Sequence, residues 1–249
     1  MTATPRAPHP VLKQYYQGDD DRQPFVTALF DGTARHYDRL CGVMSLGSGR
    51  LYRRGVLVRA GLRPGMCLLD VATGTGLIAR SARSVLGDHG AVVGLDPSRG
   101  MLQEARKVFP GPLVQGMAEY LPFADERFDF VSMGYALRHV ADLGIAFREY
   151  LRVLKPQGRI VVLEISRPRS AVGQWLVRIY LQRVLPLMMR LTAADAPMGL
   201  LTRYYWDTIA TCVPPATILD ALGASGFVDV ERRLWGGLLS EYTGVKPGR

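Results

Sequence analysis

A chain of 249 residues with 48% hydrophobic content can bury a sizeable core, so one α/β domain, with at most a helical insertion, is the expectation. Lys and Arg number 31 against 22 acids, and the net charge of +9 favours an anionic partner: nucleic acid, an acidic lipid surface or an acidic substrate. Cys41, Cys67 and Cys212 lack any CxxC or metal-ligand spacing, and neither a signal-peptide pattern nor an apolar run of about 18 residues is present, which argues against a disulfide framework, a metal site and a bilayer span; a cytoplasmic protein is expected, with attachment to a membrane surface left open.

Residues 1–24 are rich in Pro and polar side chains and read as a mobile tail ahead of a single domain over 25–249. Phe25 to Asp38 suggests helical segments that close over a ligand, and Leu51 to Leu62 a further helix stopped by Gly61 and Pro64. Arg50, Arg53, Arg54, Arg59 and Arg63 fall in this region with no acid among them, as a solvated helix face or an anionic contact would have it.

The chain is organised around Leu68 to Ala79, which reads as a short apolar strand, a glycine turn and a helix start. Gly74 and Gly76 let the backbone pass close to a ligand, and the amides of the helix point at it. The spacing Gly74-x-Gly76-x-x-Ala79 also satisfies the dinucleotide fingerprint. Asp70 tilts the reading from the dinucleotide toward S-adenosylmethionine: a carboxylate at the strand end repels a pyrophosphate but suits the amino group of a methionine-derived cofactor, and the unit as a whole points to an adenosine-containing ligand. Ala91 to Asp96 reads as a second buried strand, its terminal acid placed to accept hydrogen bonds from two ribose hydroxyls.

Ser98 then opens a helix with Met101 on its inner side. Leu113 to Met117 is a third strand and Phe128 to Met133 a fourth, whose end, Gly134 to His139, faces the same sheet edge as Asp70 and Asp96. Ile145 to Leu154 is a crossover helix and Arg159 to Glu164 the fifth strand. Right-handed strand-helix-strand units repeated in this way predict a doubly wound, mostly parallel Rossmann-like sheet. Trp175 to Leu191 departs from the rhythm. Leu176, Val177, Tyr180, Leu181, Val184, Leu187, Met188 and Leu191 share one helical face opposite Gln174, Arg178, Gln182, Arg183 and Arg190, with Pro186 expected to kink or break the helix. A core helix, an apolar lid within about 170–210, and a basic amphipathic segment on a membrane would each show this pattern. Tyr204 and Trp206 bring aromatics together. Phe227 to Leu234 and Leu238 to Val245 predict a closing antiparallel hairpin, making seven strands.

Several ordered motifs together carry a resemblance. Phe30-Asp-x-x-Ala34-x-x-Tyr37-Asp38, Leu69 to Gly76, Ala118-Glu-x-Leu-Pro-Phe123, Leu137-Arg138, Arg152 to Pro156 and Val162 to Glu164 resemble the ubiquinone/menaquinone biosynthesis C-methyltransferases, class I enzymes that use S-adenosylmethionine. The similarity runs from about Phe25 to Lys246 and is looser through the lid. It implies that Thr75 contacts the cofactor, Asp96 holds the ribose, Met117 and Ala118 flank adenine, and Gly134 lies beneath the reacting end. Two departures stand out: Met117 where the family has Asp or Asn, and His139 where it has Asn.

Cofactor binding is therefore expected from Tyr37, Asp70, Thr73, Gly74, Thr75, Gly76, Asp96, Met101, Met117, Ala118 and Gly134, and acceptor contact from Tyr135, Tyr204 and Trp206. His139 is the candidate general base, since an imidazole near its reference pKa of about 6.5 accepts a proton at working pH. Arg138 is the candidate for stabilising a phenolate, against a plain salt bridge to Asp142 or another nearby acid. A lipophilic aromatic such as a demethyl-quinol is the expected acceptor. Methylation of another small molecule on C, O or N, and a cofactor-binding subunit of a membrane-associated complex, are the alternatives. An anionic membrane surface and a homodimer are both left open as further partners, and nucleic acid is disfavoured by the missing target-base motif after the fourth strand.

Overall fold

Apolar runs bounded by turn residues become the centre of a seven-stranded sheet in the computed structural model, which describes residues 7–191 and 198–248. The strands are β1 (Cys67–Val71), β2 (Ala91–Asp96), β3 (Leu113–Gln115), β4 (Phe128–Gly134), β5 (Leu154–Ile165), β6 (Val228–Trp235) and β7 (Leu239–Val245), in the order β3-β2-β1-β4-β5-β7-β6. The first five run parallel, and β7 inserts antiparallel between β5 and β6. Gly236 and Gly237 both have positive φ, at 57° and 69°, as a two-residue hairpin turn that follows the strand twist requires. The expected doubly wound sheet with a closing hairpin is what forms.

Nine α-helices are described: α1 (Asp19–Met44), α2 (Gly49–Arg59), α3 (Leu77–Leu86), α4 (Arg99–Arg106), α5 (Leu143–Val153), α6 (Ala171–Ile179), α7 (Leu185–Leu191), α8 (Met198–Thr211) and α9 (Pro215–Ala224). Phe147 and Tyr150 of α5 and Leu222 of α9 share one core with Val131 and Ile160 of the sheet. Val56 and Leu57 of α2 and Ile78 and Ala82 of α3 share another with Leu68 and Val161. Strand order reverses between β1 and β4, and at such a switch point the loops leaving the strand ends diverge and open a crevice. The chain fills part of that crevice with a third cluster, in which α1, α7 and α8 pack together and reach Ile165 at the end of β5.

Three expectations change. Residues 7–18, read as tail from their composition, carry apolar anchors at Leu12 and Tyr16 that bury in the third cluster, and Tyr15 donates to Asp207 at 2.6 Å; the first six residues lie outside the described ones. The fifth strand is longer than expected. The segment containing Pro186 stays helical, because one π-helical turn, Tyr180–Val184, widens the chain just ahead of the ring and the break is absorbed there. That turn also rotates the apolar stripe. Leu181, Leu185 and Met189 are buried, whereas Leu176, Val184 and Leu187 face solvent; the side chains of Arg190 and Leu191, and residues 192–197 of the expected lid, lie outside the described residues.

Candidate active site

The glycine turn takes the left-handed conformations its sequence permits, with φ of 56° at Gly74 and 83° at Gly76, the latter capping α3. Ala72, just past β1, adopts φ 53° despite its Cβ, and Tyr135, just past β4, adopts φ 60°. Strain of this kind collects where a fold must shape a site. Both residues line a cavity at the C-terminal strand ends, together with Phe30, Tyr37, Gly74, Asp96, Met101, Ala118, Gly134 and His139.

Asp96 organises this cavity. Its carboxylate accepts the amides of Gly74 and Ser98, each at 2.8 Å, and burial pushes its pKa up to about 6 against those two favourable bonds. Remaining lone pairs are available for hydroxyl donors, which is the donor set of a ribose. Gly134 leaves room for Ile78, since a Cβ there would stand 2.2 Å from Ile78 Cδ1 and push that side chain aside. Helix α1 roofs the cavity and is tied to its floor: Asp31 accepts from Ser98 Oγ at 2.5 Å and the Gly100 amide at 2.7 Å, and Asp38 accepts from Thr75 Oγ1 and pairs with Arg80 at 3.0 Å.

Five expected cofactor residues do not reach the cavity. Asp70 sits directly opposite Ser132 in the β1–β4 register, and its oxygens accept from Ser132 Oγ at 2.8 Å and Thr73 Oγ1 at 2.7 Å, so it clamps the turn to β4; burial raises its pKa to about 6. Thr73 and Thr75 spend their hydroxyls on Asp70 and Asp38. Gly76 lies under Phe109 and Ala105 of the α4 end, and Met117 pairs with Tyr120 across a short bridge while Ala118 lines the cavity. Tyr37, Gly74, Asp96, Met101, Ala118 and Gly134, also expected at the cofactor, line the cavity.

A second, mainly apolar chamber of about 340 Å³ meets the first at Tyr37 and Tyr135, which line both. Its wall includes Cys41, Tyr52, Arg53, Arg138 and Tyr205, and its rim Leu46 and Leu238. Tyr204 and Trp206, expected to touch the acceptor, line neither cavity: Tyr204 is fully buried, edge-on to Tyr15 and Phe25 at 5.1 and 5.4 Å. The neighbouring Tyr205 takes that position and donates to the Tyr37 hydroxyl at 3.1 Å. Phe30, Tyr52, Arg53 and Tyr205 were passed over as site residues; only Phe30 stood in a quoted motif, and Arg53 was visible merely as one of five arginines.

His139 is buried and stacked on Tyr204, with its Nδ1 3.4 Å from the Tyr204 hydroxyl and its Nε2 without a hydrogen-bond partner. Burial first, and the charge of Arg138 second, hold it well below the ordinary histidine pKa, so it is a neutral and weak base, not one poised near 6.5. Arg138 faces the second chamber but is committed. Its guanidinium pairs with buried Glu164, the salt bridge to a nearby acid that was set against phenolate stabilisation, and donates to Thr208 Oγ1 at 3.2 Å. Among the described residues no group of three or more His, Cys, Asp or Glu could hold a metal, and no helix is long and apolar enough to cross a membrane.

Comparison with known proteins gives a consistent picture. The model of the ubiE/COQ5 methyltransferase family matches residues 16–246. A ubiquinone/menaquinone biosynthesis C-methyltransferase of Saccharophagus degradans is 32% identical over 91% of this chain and 93% of its own. A demethylmenaquinone methyltransferase of Mycolicibacterium paratuberculosis is 36% identical over 90% and 95%. Among solved structures, a methyltransferase of Thermotoga maritima superposes with a TM-score of 0.61 at 20% identity, covering 88% of this chain and 99% of that one. One from Aquifex aeolicus gives 0.58 at 16%, covering 78% and 88%.

Proposed function

Because the chain belongs to the ubiE/COQ5 methyltransferase family, whose members use S-adenosylmethionine, we propose that it methylates a ring carbon of a lipophilic demethyl-quinol held in the second chamber. The observation that carries this reading is the junction at Tyr37 and Tyr135 between a cavity with a ribose-accepting carboxylate and an apolar, aromatic-walled chamber. Asp96 would hold the ribose, Ala118 and Met101 the adenine side, and Gly134 and Tyr37 the methionine end. When bound, S-adenosylmethionine supplies a methyl carbon made electrophilic by its sulfonium. The protein's part is to align the acceptor carbon with that methyl and to keep water out. His139, neutral and weak as a base, takes a proton only from an acceptor already acidified by its surroundings.

Supplying the reduced demethyl-quinol with S-adenosylmethionine should add one methyl group, located on carbon by fragmentation mass spectrometry. Methylation on oxygen, or turnover of other small molecules with none of quinols, overturns the acceptor assignment.

The raised pKa of Asp96 makes cofactor binding pH-dependent. Ribose hydroxyls donate to the ionised carboxylate and lower its pKa from about 6, so binding releases protons and affinity rises as pH increases toward and through 6. Calorimetry in buffers of different ionisation enthalpy measures that release, and the absence of any near pH 6 would count against Asp96 as the ribose site.

A lipid surface is the proposed source of the acceptor. Leu46, 85% exposed on the chamber rim, and Val172, Trp175 and Leu176 of α6 present apolar groups to solvent, with Arg50 and Arg54 following one and Arg169 and Arg178 flanking the other. Basic charge beside exposed apolar groups is the pattern of an interfacial segment. Salt-sensitive cosedimentation with phosphatidylglycerol vesicles is expected, weakened about tenfold in a Leu46→Ser, Trp175→Ser double variant; equal binding to neutral vesicles would refute it.

A further inference from the structure

Two polar groups of α2 face the second chamber without partners. Arg53 is only 9% exposed, and its guanidinium makes no hydrogen bond or ion pair with any described residue. The hydroxyl of adjacent Tyr52 is buried beside Glu241, whose carboxylate accepts from Arg59 at 2.8 Å, and completes no well-formed hydrogen bond of its own among the described residues. The other acids within reach of α2 are also taken, Asp38 by Thr75 and Arg80 and Asp70 by Thr73 and Ser132. Arg53's charge acts on buried Asp70 without pairing with it and, across the chamber, on Tyr37, Cys41 and Tyr135, which carry no negative charge at neutral pH because burial pushes each pKa up. A buried guanidinium with no ion pair among the described residues is costly, and its donors are left to an anion that a ligand brings.

We propose that Arg53 and Tyr52 form an oxyanion site in the acceptor chamber, holding the oxygen of a phenolic acceptor in its ionised form beside the carbon to be methylated. This rests on the reading of that chamber as the acceptor's. Arg138 differs in that Glu164 already neutralises its charge, with Nε bound to Thr208. The chemistry balances: the phenolic O–H bond breaks, neutral His139 takes the proton, and the electron pair stays on oxygen until the ortho carbon gains the methyl and sheds its own hydrogen as a proton to restore the ring. Delocalised into the ring, that pair enriches the ortho carbon. Arg53 thereby supplies the acidification that a base as weak as His139 requires, and the chamber selects acceptors with an ionisable ring oxygen.

The probe is para-nitrophenol, whose phenolate absorbs at longer wavelength than the phenol. Added to the full chain saturated with S-adenosylhomocysteine, at a pH where the free dye is mainly neutral, it should show the phenolate band on binding. Arg53→Gln should abolish the band and weaken dye binding about ten- to a hundredfold, the worth of a charge-assisted hydrogen bond. Arg53→Lys should retain the band, and Tyr52→Phe should weaken binding without abolishing it. Calorimetric affinity for S-adenosylhomocysteine should be unchanged in all three, because neither residue lines the cofactor cavity. Where Arg53→Gln fails that control, Arg53→Lys and Tyr52→Phe decide.

Binding of the dye as neutral phenol by the wild type, or an undiminished band in Arg53→Gln, overturns the proposal. With quinol as acceptor, the acid limb of kcat/KM against pH should move upward in Arg53→Gln, and an unmoved limb refutes the oxyanion site while sparing the acceptor assignment. Conversely, a phenolate band in an enzyme that methylates no quinol supports the oxyanion site and removes only the quinol.

Discussion

Asp96→Ala should lower the affinity for S-adenosylmethionine by about a hundredfold or more, because two hydroxyl donors to one carboxylate are worth about 1.5–3 kcal/mol each. Isothermal calorimetry with the cofactor and its demethylated product measures this directly. The carboxylate also accepts the amides of Gly74 and Ser98, so a plain loss of folding has to be separated from a loss of recognition. The pKa makes the separation. Since burial raises Asp96 from 3.8 to about 6, the native state binds the extra proton between those values, and its contribution to stability falls as pH rises across that window. Above it, the ligand-free protein holds a carboxylate it would rather protonate. Asp96→Ala removes that burden along with the two acceptor contacts, so its melting temperature without ligand should change little at neutral pH while the fall between pH 4 and 6 flattens. Tight cofactor binding by a folded Asp96→Ala protein would remove Asp96 from the site.

Glu164→Gln is expected to destabilise the fold by about 3–5 kcal/mol, because it leaves the Arg138 guanidinium charged, buried and without its counter-ion. For a chain of this size that is a fall in melting temperature on the order of 10 °C. Glu164 lies one residue before the end of β5 and Arg138 follows β4, the strand beside it, so the pair joins the two strand ends next to the second chamber. Replacing both partners together, Arg138→Met with Glu164→Leu, should recover much of the loss, since apolar groups of similar volume carry no desolvation penalty. Thermal unfolding of the single and double variants tests this, and a single variant as stable as wild type would show that the pair is not a structural charge couple.

The parallel half of the sheet was legible because each strand is a short apolar run between turn residues, and the cofactor cavity because Gly74, Asp96 and Gly134 all come at strand ends. What was misread depended on distant partners. Asp70 looked free to meet a cation, but the β1–β4 register puts Ser132 against it, and no local pattern announces which residue will stand opposite. Tyr204 and Tyr205 differ by about 100° of helical rotation, and only the packing of α8 chooses which one reaches the chamber. The π turn is a third instance: one widened turn shifts the phase of every later residue, so a stripe drawn at constant period from Leu176 crosses from solvent to core. In residues 7–18, polar composition outweighed the few apolar side chains that hold the segment down.

Helix α1 runs for 26 residues, about 39 Å, over both cavities, with Phe30 on the first, Tyr37 at the junction and Cys41 and Met44 on the second. A rod of that length moves as a unit. Because the same helix bounds both cavities and is tied to the floor through Asp31 and Asp38, a displacement that opened one cavity would open the other with it.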